Sequence, residues 1–451
     1  MSDTFISFLL YARFLKNFRD MPLSLHNPFV QDVEDAPLST FDTFHTVVKS
    51  VYGIGTLCMP IAFACTGYVG GILLTIFLSC LYIYGIHLTV KCMAEVSDRV
   101  SGEVTMGKAY AYVSKSRILG HFVNVLLILL HTSIAVLYIY FISENLKSVS
   151  CFIWETEVDT RIIVAVVTIC IIPVFLIRDV QYLVPLNIAG NVLTLLIIGY
   201  VIVDRIEMII FGMRKFEMAG SVIKYDVDLF VGCSVLSFSS VGVMVKIASK
   251  MAEPEKYLGW WGTLNRAACF VLCTNVIWGV ISYGILGDTQ YFPFLENYSF
   301  SYGLEYKLVA AALVYLTYPL NGYVVVDTIF NEYINKTGDL NHPLRIEFIV
   351  RIIFLLISGC CALALSFALP IIKYICGLAF TLLNVAFPAY MQLTLGYDEY
   401  DRKWLWRVLH ISIVLLGILV AYCIGSSAYY DSKIYYTDKE PFWIKPNVEI
   451  N

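Results

Sequence analysis

Apolar positions in this chain are gathered into long runs. Eleven blocks stand out, at roughly 44–66, 69–93, 121–145, 160–177, 182–203, 228–249, 261–286, 308–330, 346–367, 371–394 and 405–426. About twenty apolar residues are what a helix needs to cross a hydrocarbon core of roughly 30 Å. In lipid every backbone polar group needs an internal partner, so the blocks are expected to be helices. A membrane β-barrel would show segments of about ten residues with alternating polarity, and no such pattern is visible. The expected class is all-α and integral to the membrane. The stretch 346–394 is almost unbroken; it is divided at Leu369-Pro370, because proline removes a backbone donor. Residues 1–43 read as a cytosolic tail, 44–426 as the transmembrane domain, and 427–451 as a tail on the extracellular or lumenal side.

Composition agrees with that pattern. The 451 residues are 59% hydrophobic and 15% charged, whereas a soluble domain is about half apolar and a quarter charged. The net charge of −4 gives no sign of a nucleic-acid partner. Aromatics reach 15%, and many are expected at the membrane interfaces. Twelve of the thirteen cysteines lie in or beside apolar blocks, where cysteine acts as a small hydrophobe; only Cys151 falls in a clear loop. There is no CxxC and no zinc-type spacing, so no metal and no cofactor are expected. A short apolar run at Phe5–Ala12 is preceded by Asp3 and lacks the basic start of a cleaved signal.

With the N-terminus in the cytosol, eleven Lys and Arg fall on inside connections against six outside, the sign of the positive-inside rule. Asn297-Tyr298-Ser299 then lies outside as a glycosylation site, and Asn335-Lys336-Thr337 lies inside and is silent. The connection 94–120 contains Met106–Tyr112, which reads as a short surface helix. No soluble segment is large enough for a catalytic domain. No nucleophile–base set, metal cluster or phosphate loop appears, and an enzyme is not expected.

Candidate chemistry lies inside the spans. The first carries Lys49 and then Gly53-Ile54-Gly55-Thr56 and Met59-Pro60. Two glycines and a proline weaken that helix in its middle. A broken helix is tolerated at this depth where it is buried or lines a cavity. Freed N–H groups at the start of a half-helix can hold a carboxylate, and freed carbonyls an ammonium. The plainer alternative is that Gly53 and Gly55 let a neighbouring helix approach. The sixth span carries Ser237-Phe238-Ser239-Ser240-Val241-Gly242, a second interruption. Spans one and six correspond if spans 1–5 and 6–10 are two repeats, and interruptions at corresponding positions point to a transporter site. Ionisable groups within the blocks default to functional hypotheses. His45 and Lys49 share a helical face, and His131 sits midway along the third span; a satisfied interhelical histidine is the plain reading of His131. Glu144, Lys246 and Asp327 lie near span ends, where snorkelling is the plain reading. For Lys49 a carbonyl clamp and a substrate role weigh equally. In the eighth span, Thr317-Tyr318 and Asn321 suggest either a wet face or a buried hydrogen-bond network.

These residues carry a resemblance. Asn27-Pro28-Phe29, Pro37, Asp42-Thr43, Lys49, Gly53-x-Gly55 and Met59-Pro60 resemble the proton-assisted amino acid transporters of the amino acid/auxin permease superfamily, especially insect members. Further matches are Glu144-Asn145-Leu146-Lys147, Phe238 with Gly242, Lys250-Met251, and Thr317-Tyr318-x-Leu320-x-x-Tyr323-Val324. The likeness covers most of residues 26–425. It implies a five-plus-five inverted-repeat transporter fold plus an eleventh helix, with helices one and six broken. It implies a small neutral amino acid as substrate and a proton, or sodium, as coupling ion. Gly53, Ile54, Gly55 and Thr56 would border the substrate carboxylate, with Phe238, Ser239 and Gly242 facing it. Ser237, Tyr318 and Asn321 complete the candidate substrate set, and His45, Lys49 and His131 are the proton-coupling candidates.

Departures from the family pattern are specific. Its G-T-G reads Gly53-Ile54-Gly55, its first-span histidine position holds Thr46, and its sixth-span F-E-G reads Phe238-Ser239-Ser240. Lys246 and Ala248 replace a proline and a glutamate, and Cys151 has no loop partner. The expected function is secondary transport of small neutral amino acids by alternating access. The alternative is a non-transporting sensor or partner-binding relative on the same scaffold. The expected location is the plasma membrane or a lysosomal or endosomal membrane, with lipid bilayer and amino acid as partners.

Overall fold

The computed structural model describes residues 38–100, 104–155, 158–210, 227–238, 240–286, 303–334, 342–395, 407–408 and 410–422. Residues 1–37 and 423–451, residues 211–226, the Asn297 sequon and Ser239 lie outside the described residues.

The first helix starts at a reciprocal cap. The Ser39 hydroxyl accepts from the Asp42 amide at 3.2 Å, and the Ser39 amide donates to the Asp42 carboxylate at 3.3 Å. Two donors orphaned at the helix start are satisfied in this way. From it runs α1 (Thr40–Val51), followed by α2 (Ile54–Ser97), α3 (Met106–Ser114), α4 (Arg117–Trp154) and α5 (Thr160–Phe175). Then come α6 (Val180–Ile210), α7 (Val227–Phe238), α8 (Val241–Lys250), α9 (Thr263–Leu286) and α10 (Gly303–Ile329). The last are α11 (Pro343–Leu363), α12 (Leu365–Thr381), α13 (Phe387–Leu395) and α14 (His410–Tyr422). A π turn at Phe330–Ile334 extends α10, and another at Leu382–Ala386 joins α12 to α13.

Eight helices among the described residues are long and apolar enough to cross a membrane, and two shorter apolar helices, α5 and α14, match the fourth and eleventh blocks. The chain is a multi-pass integral membrane protein. One helix, the 44-residue α2, holds parts of two expected blocks. It is divided at Gly67, whose φ of 75° is a backbone conformation that glycine adopts without a Cβ penalty. The short surface helix expected at Met106 is α3.

The division expected at Leu369-Pro370 is displaced. The break falls at Ala364 (φ −89°, ψ 0°), whose amide turns back to the Cys361 carbonyl at 3.1 Å. Pro370 sits within α12. A membrane helix accommodates a proline where its neighbours satisfy the freed carbonyl, so the proline alone does not end it.

Both interruptions read from the sequence are real. α1 ends at Tyr52, in an extended conformation (φ −72°, ψ 99°), and α2 begins after Gly53. α7 ends at Phe238 and α8 starts after Ser240, whose amide bonds to the Phe238 carbonyl at 2.9 Å. The interrupted α7–α8 unit is interior: its apolar stretch is 76% buried and that of α10 is 78%, against 33% for α11. α4 packs lengthwise on α10, and α2 packs on α7 and α9. Leu38 bonds through its amide to the Lys250 carbonyl and through its carbonyl to the Ala252 amide, both at 2.9 Å. The start of α1 and the end of α8 therefore share one end of the molecule.

Candidate substrate site

The two interrupted helices touch at glycine. A Cβ on Gly55 would lie 2.1 Å from the Ser237 amide nitrogen and 2.2 Å from its Cα, so α2 and α7 meet backbone to backbone. A Cβ on Gly53 would meet the Tyr138 hydroxyl of α4 at 2.8 Å. On the other half-helix, a Cβ on Gly242 would meet His131 Nε2 and Val324, each at 2.6 Å. These glycines draw α4 and α10 against the breaks. The close-approach reading of Gly53 and Gly55 thus holds together with the broken-helix reading, since the same residues do both.

Beside the breaks lies a small hollow of about 10 Å³. Its polar wall is Ser50, Tyr138, Ser240, Thr317 and Asn321, and its apolar wall is Ile134, Val243 and Leu320. Among the described residues no ionised side chain lines it. Ile134 and Tyr138 are one turn apart on α4; Thr317, Leu320 and Asn321 form an i, i+3, i+4 set on α10. Of the residues read from sequence, Asn321 lines the hollow directly. The first-turn amides of Ile54, Gly55 and Thr56 have no carbonyl one turn back within α2. Ser237 turns away, its hydroxyl accepting from the Asn275 amide at 3.2 Å. Phe238 packs on Tyr82, 5.5 Å between ring centroids, and the Tyr82 hydroxyl bonds to Ser240 at 3.0 Å. Tyr318 is off the hollow, with its ring edge-on to Phe175 at 5.4 Å.

The proton-coupling candidates occupy two places. His131 donates from Nδ1 to the Asn321 amide oxygen at 2.7 Å, and Asn321 returns a bond to the His131 carbonyl at 2.7 Å. Its Nε2 is buried with no partner among the described residues and faces Gly242. His45 and Lys49 both face α6. Asn191 donates to the His45 carbonyl at 2.8 Å, Asn187 to the Thr46 hydroxyl at 3.3 Å, and a Cβ on Gly190 would meet the Lys49 amine at 2.6 Å. The Lys49 amine donates to the carbonyls of Tyr52 at 3.4 Å and Leu313 at 3.1 Å, a carbonyl clamp.

Lys246 does not simply snorkel. It pairs with the Asp327 carboxylate and donates to the Val324 carbonyl at 3.3 Å and the Thr328 hydroxyl at 3.1 Å, tying α8 to α10. Exchanging the charges (Lys246→Asp with Asp327→Lys) is expected to recover most of the few-degree melting loss caused by either single change, because contacting residues couple by about 0.5–3 kcal/mol. Additive losses in the double variant would show that the pair contributes nothing.

Ser50, Tyr138, Ser240 and Thr317 were missed as wall residues, although Ser240 and Thr317 sit within motifs read from the sequence. A polar residue recurring every third or fourth position along one face was the available signal for α10. Tyr138 left a weak one: it lies two turns after His131 on the same face of α4, among apolar neighbours.

Comparison with known proteins accords with this architecture. Residues 36–429 match the profile of the transmembrane amino acid transporter protein family. The chain is 21% identical over 423 residues to the proton-coupled amino acid transporter-like protein pathetic of Drosophila melanogaster, covering 89% of this chain and 87% of that one. It is 24% identical over 410 residues to the amino acid transporter AVT3B of Arabidopsis thaliana, covering 86% and 94%. In fold it is similar to a manganese transporter of Eremococcus coleocola, with a TM-score of 0.50, 12% identity and 93% of each chain covered. Two helices broken at corresponding places, the inverted-repeat transporter fold and a family match over most of its length make this chain a member of the transmembrane amino acid transporter family, and not an enzyme.

Proposed function

We propose that this protein carries small neutral amino acids across the membrane by alternating access, driven by a proton. The observation that carries the reading is the pairing of two broken helices with a small hollow that has polar walls and, among the described residues, no ionised side chain. A zwitterion brings its own two charges. The amides at the start of α2, at the positive end of a half-helix, suit its carboxylate, and the carbonyls ending the preceding half-helices suit its ammonium. The uncharged wall then suits an uncharged side chain, and Ile134, Val243 and Leu320 hold it to a small size. His131 is the proton-accepting candidate nearest the hollow, with His45 and Lys49 along the α6 seam. The N-terminus is cytosolic in this reading, and the membrane is the plasma membrane or that of a lysosome.

Uptake of labelled amino acids into proteoliposomes tests the reading. Saturable uptake of small neutral amino acids is expected, faster when the outside is acid, and not competed by glutamate or lysine. Binding without flux would overturn it in favour of a sensor on the same scaffold.

A further inference from the structure

Cys58 on α2 and Cys233 on α7 are both buried, and neither is in a disulfide. Their thiols are hydrogen-bonded neighbours. The backbone explains why they meet. α2 leaves the first break, α7 runs into the second, and the two touch at Gly55 and Ser237. Cys58 comes three residues after Gly55, and Cys233 four residues before Ser237. Two contacts one turn apart, taken in opposite senses along the chain, mean that the half-helices run antiparallel with these residues on the facing sides. A cysteine packed in a core is ordinarily a small hydrophobe. Two thiols in contact between separate elements can do more, because a disulfide joins them with no third group. Cys269 and Cys273 are also neighbours, but both stand on α9, where a link would join no two elements.

We propose that Cys58 and Cys233 form a redox site, at which a peroxide joins them as a disulfide that staples α2 to α7. One sulfur attacks the O–O bond, giving a sulfenic acid and releasing one water. The second thiol then displaces the other water as the S–S bond forms. Two thiols and one hydrogen peroxide thus become one disulfide and two waters. Thiols packed in apolar surroundings are inert, so the reaction belongs to the state in which the helices part. Peroxide is scarcely larger than water and can enter there. With the N-terminus in the cytosol, as proposed above, both half-helices lie towards the outside, where disulfides persist. Joined helices cannot separate. Resting on the transport reading, the consequence is a cycle that stops until a reductant reopens the bond.

Peptide mapping by mass spectrometry, after the full chain in proteoliposomes is treated with hydrogen peroxide, tests the link. A peptide pair joining Cys58 to Cys233 is expected, and dithiothreitol should dissolve it. The same treatment should lower uptake at least tenfold, and dithiothreitol should restore it. Cys58→Ala and Cys233→Ala should each keep uptake and lose the response to peroxide, which separates this pair from oxidation elsewhere in the chain. Absence of the joined peptide overturns the assignment. So does a joined chain that transports as fast as the reduced one, or peroxide inhibition that survives in both variants. Mapping needs neither a substrate nor a variant, so it decides the link even where an alanine variant fails to fold. A joined peptide in a chain that moves no amino acid sinks the transport reading and leaves the redox site standing.

Discussion

Gly55→Ala is expected to lower uptake by roughly tenfold or more while the protein still reaches the membrane. The added methyl would sit 2.1 Å from the Ser237 nitrogen and 2.2 Å from its Cα, and both are backbone atoms. No rotamer can relieve that contact, so α2 and α7 must part by more than 1 Å, a distance set by van der Waals radii. Overpacking of this kind costs about 1–3 kcal/mol. The greater effect falls on function, because both breaks are carried by the helices that separate. About 1.4 kcal/mol on the transport barrier is a tenfold loss of rate. Gly199→Ala on α6 is the control. Nothing lies within 4 Å of its Cβ position, and alanine is the better helix former, so unchanged uptake and equal or higher stability are expected. Uptake by Gly55→Ala equal to that of the unaltered chain would mean that α2 and α7 do not meet at this point.

Arg351→Ala should be the most destabilising single change among the side chains considered. The guanidinium is 2% exposed and joins two helices. It donates to the carbonyls of Phe175 at 3.0 Å and of Ile177 and Arg178 at 3.3 Å, closing the end of α5, and to the Glu347 carboxylate at 2.8 Å on its own helix. It also lies over the Phe175 ring, 5.6 Å from the centroid. Truncation leaves three carbonyls without this donor and leaves Glu347 to Arg178 alone, at 3.0 Å. Breaking a buried pair from one side costs up to about 3–5 kcal/mol, and the second arginine lessens that cost. A melting temperature lower by many degrees, or failure to accumulate as a monodisperse species, is expected. Arg351→Lys should rescue little, since one ammonium cannot reach three carbonyls and a carboxylate as a planar fork does. A melting temperature within about 2 °C of the unaltered protein would refute the clamp; about 2–4 °C already corresponds to only 1 kcal/mol in a mid-sized domain.

The two variants probe different depths of legibility. Gly55 announces itself in the sequence, because glycine is costly inside a helix and its pairing with Gly53 calls for an explanation. Arg351 does not. It stands in an apolar run like a charge to be snorkelled, and only the arrival of the α5 terminus beside α11 gives it partners, 173 to 176 residues away. Lys246 and Asp327 were legible as charges near span ends, but their mutual pairing required α8 and α10 to lie side by side. The proline rule misplaced one boundary for the same reason. Pro370 states a local cost, and the surrounding helices decide whether that cost ends the helix.

The sequence alone determined that this chain lives in a membrane as helices, and it pointed to two interruptions, one within Gly53–Thr56 and one within Ser237–Gly242. Those properties are local: run length, backbone freedom and side-chain hydroxyls act within a turn or two of where they are written. Tertiary structure decided which faces meet, and with them the site. Ser50, Tyr138 and Thr317 share a wall, and Lys49 finds the Leu313 carbonyl 264 residues along the chain, because packing sets the rotation of each helix about its axis. In a helix that is apolar all round, no periodic pattern records that rotation.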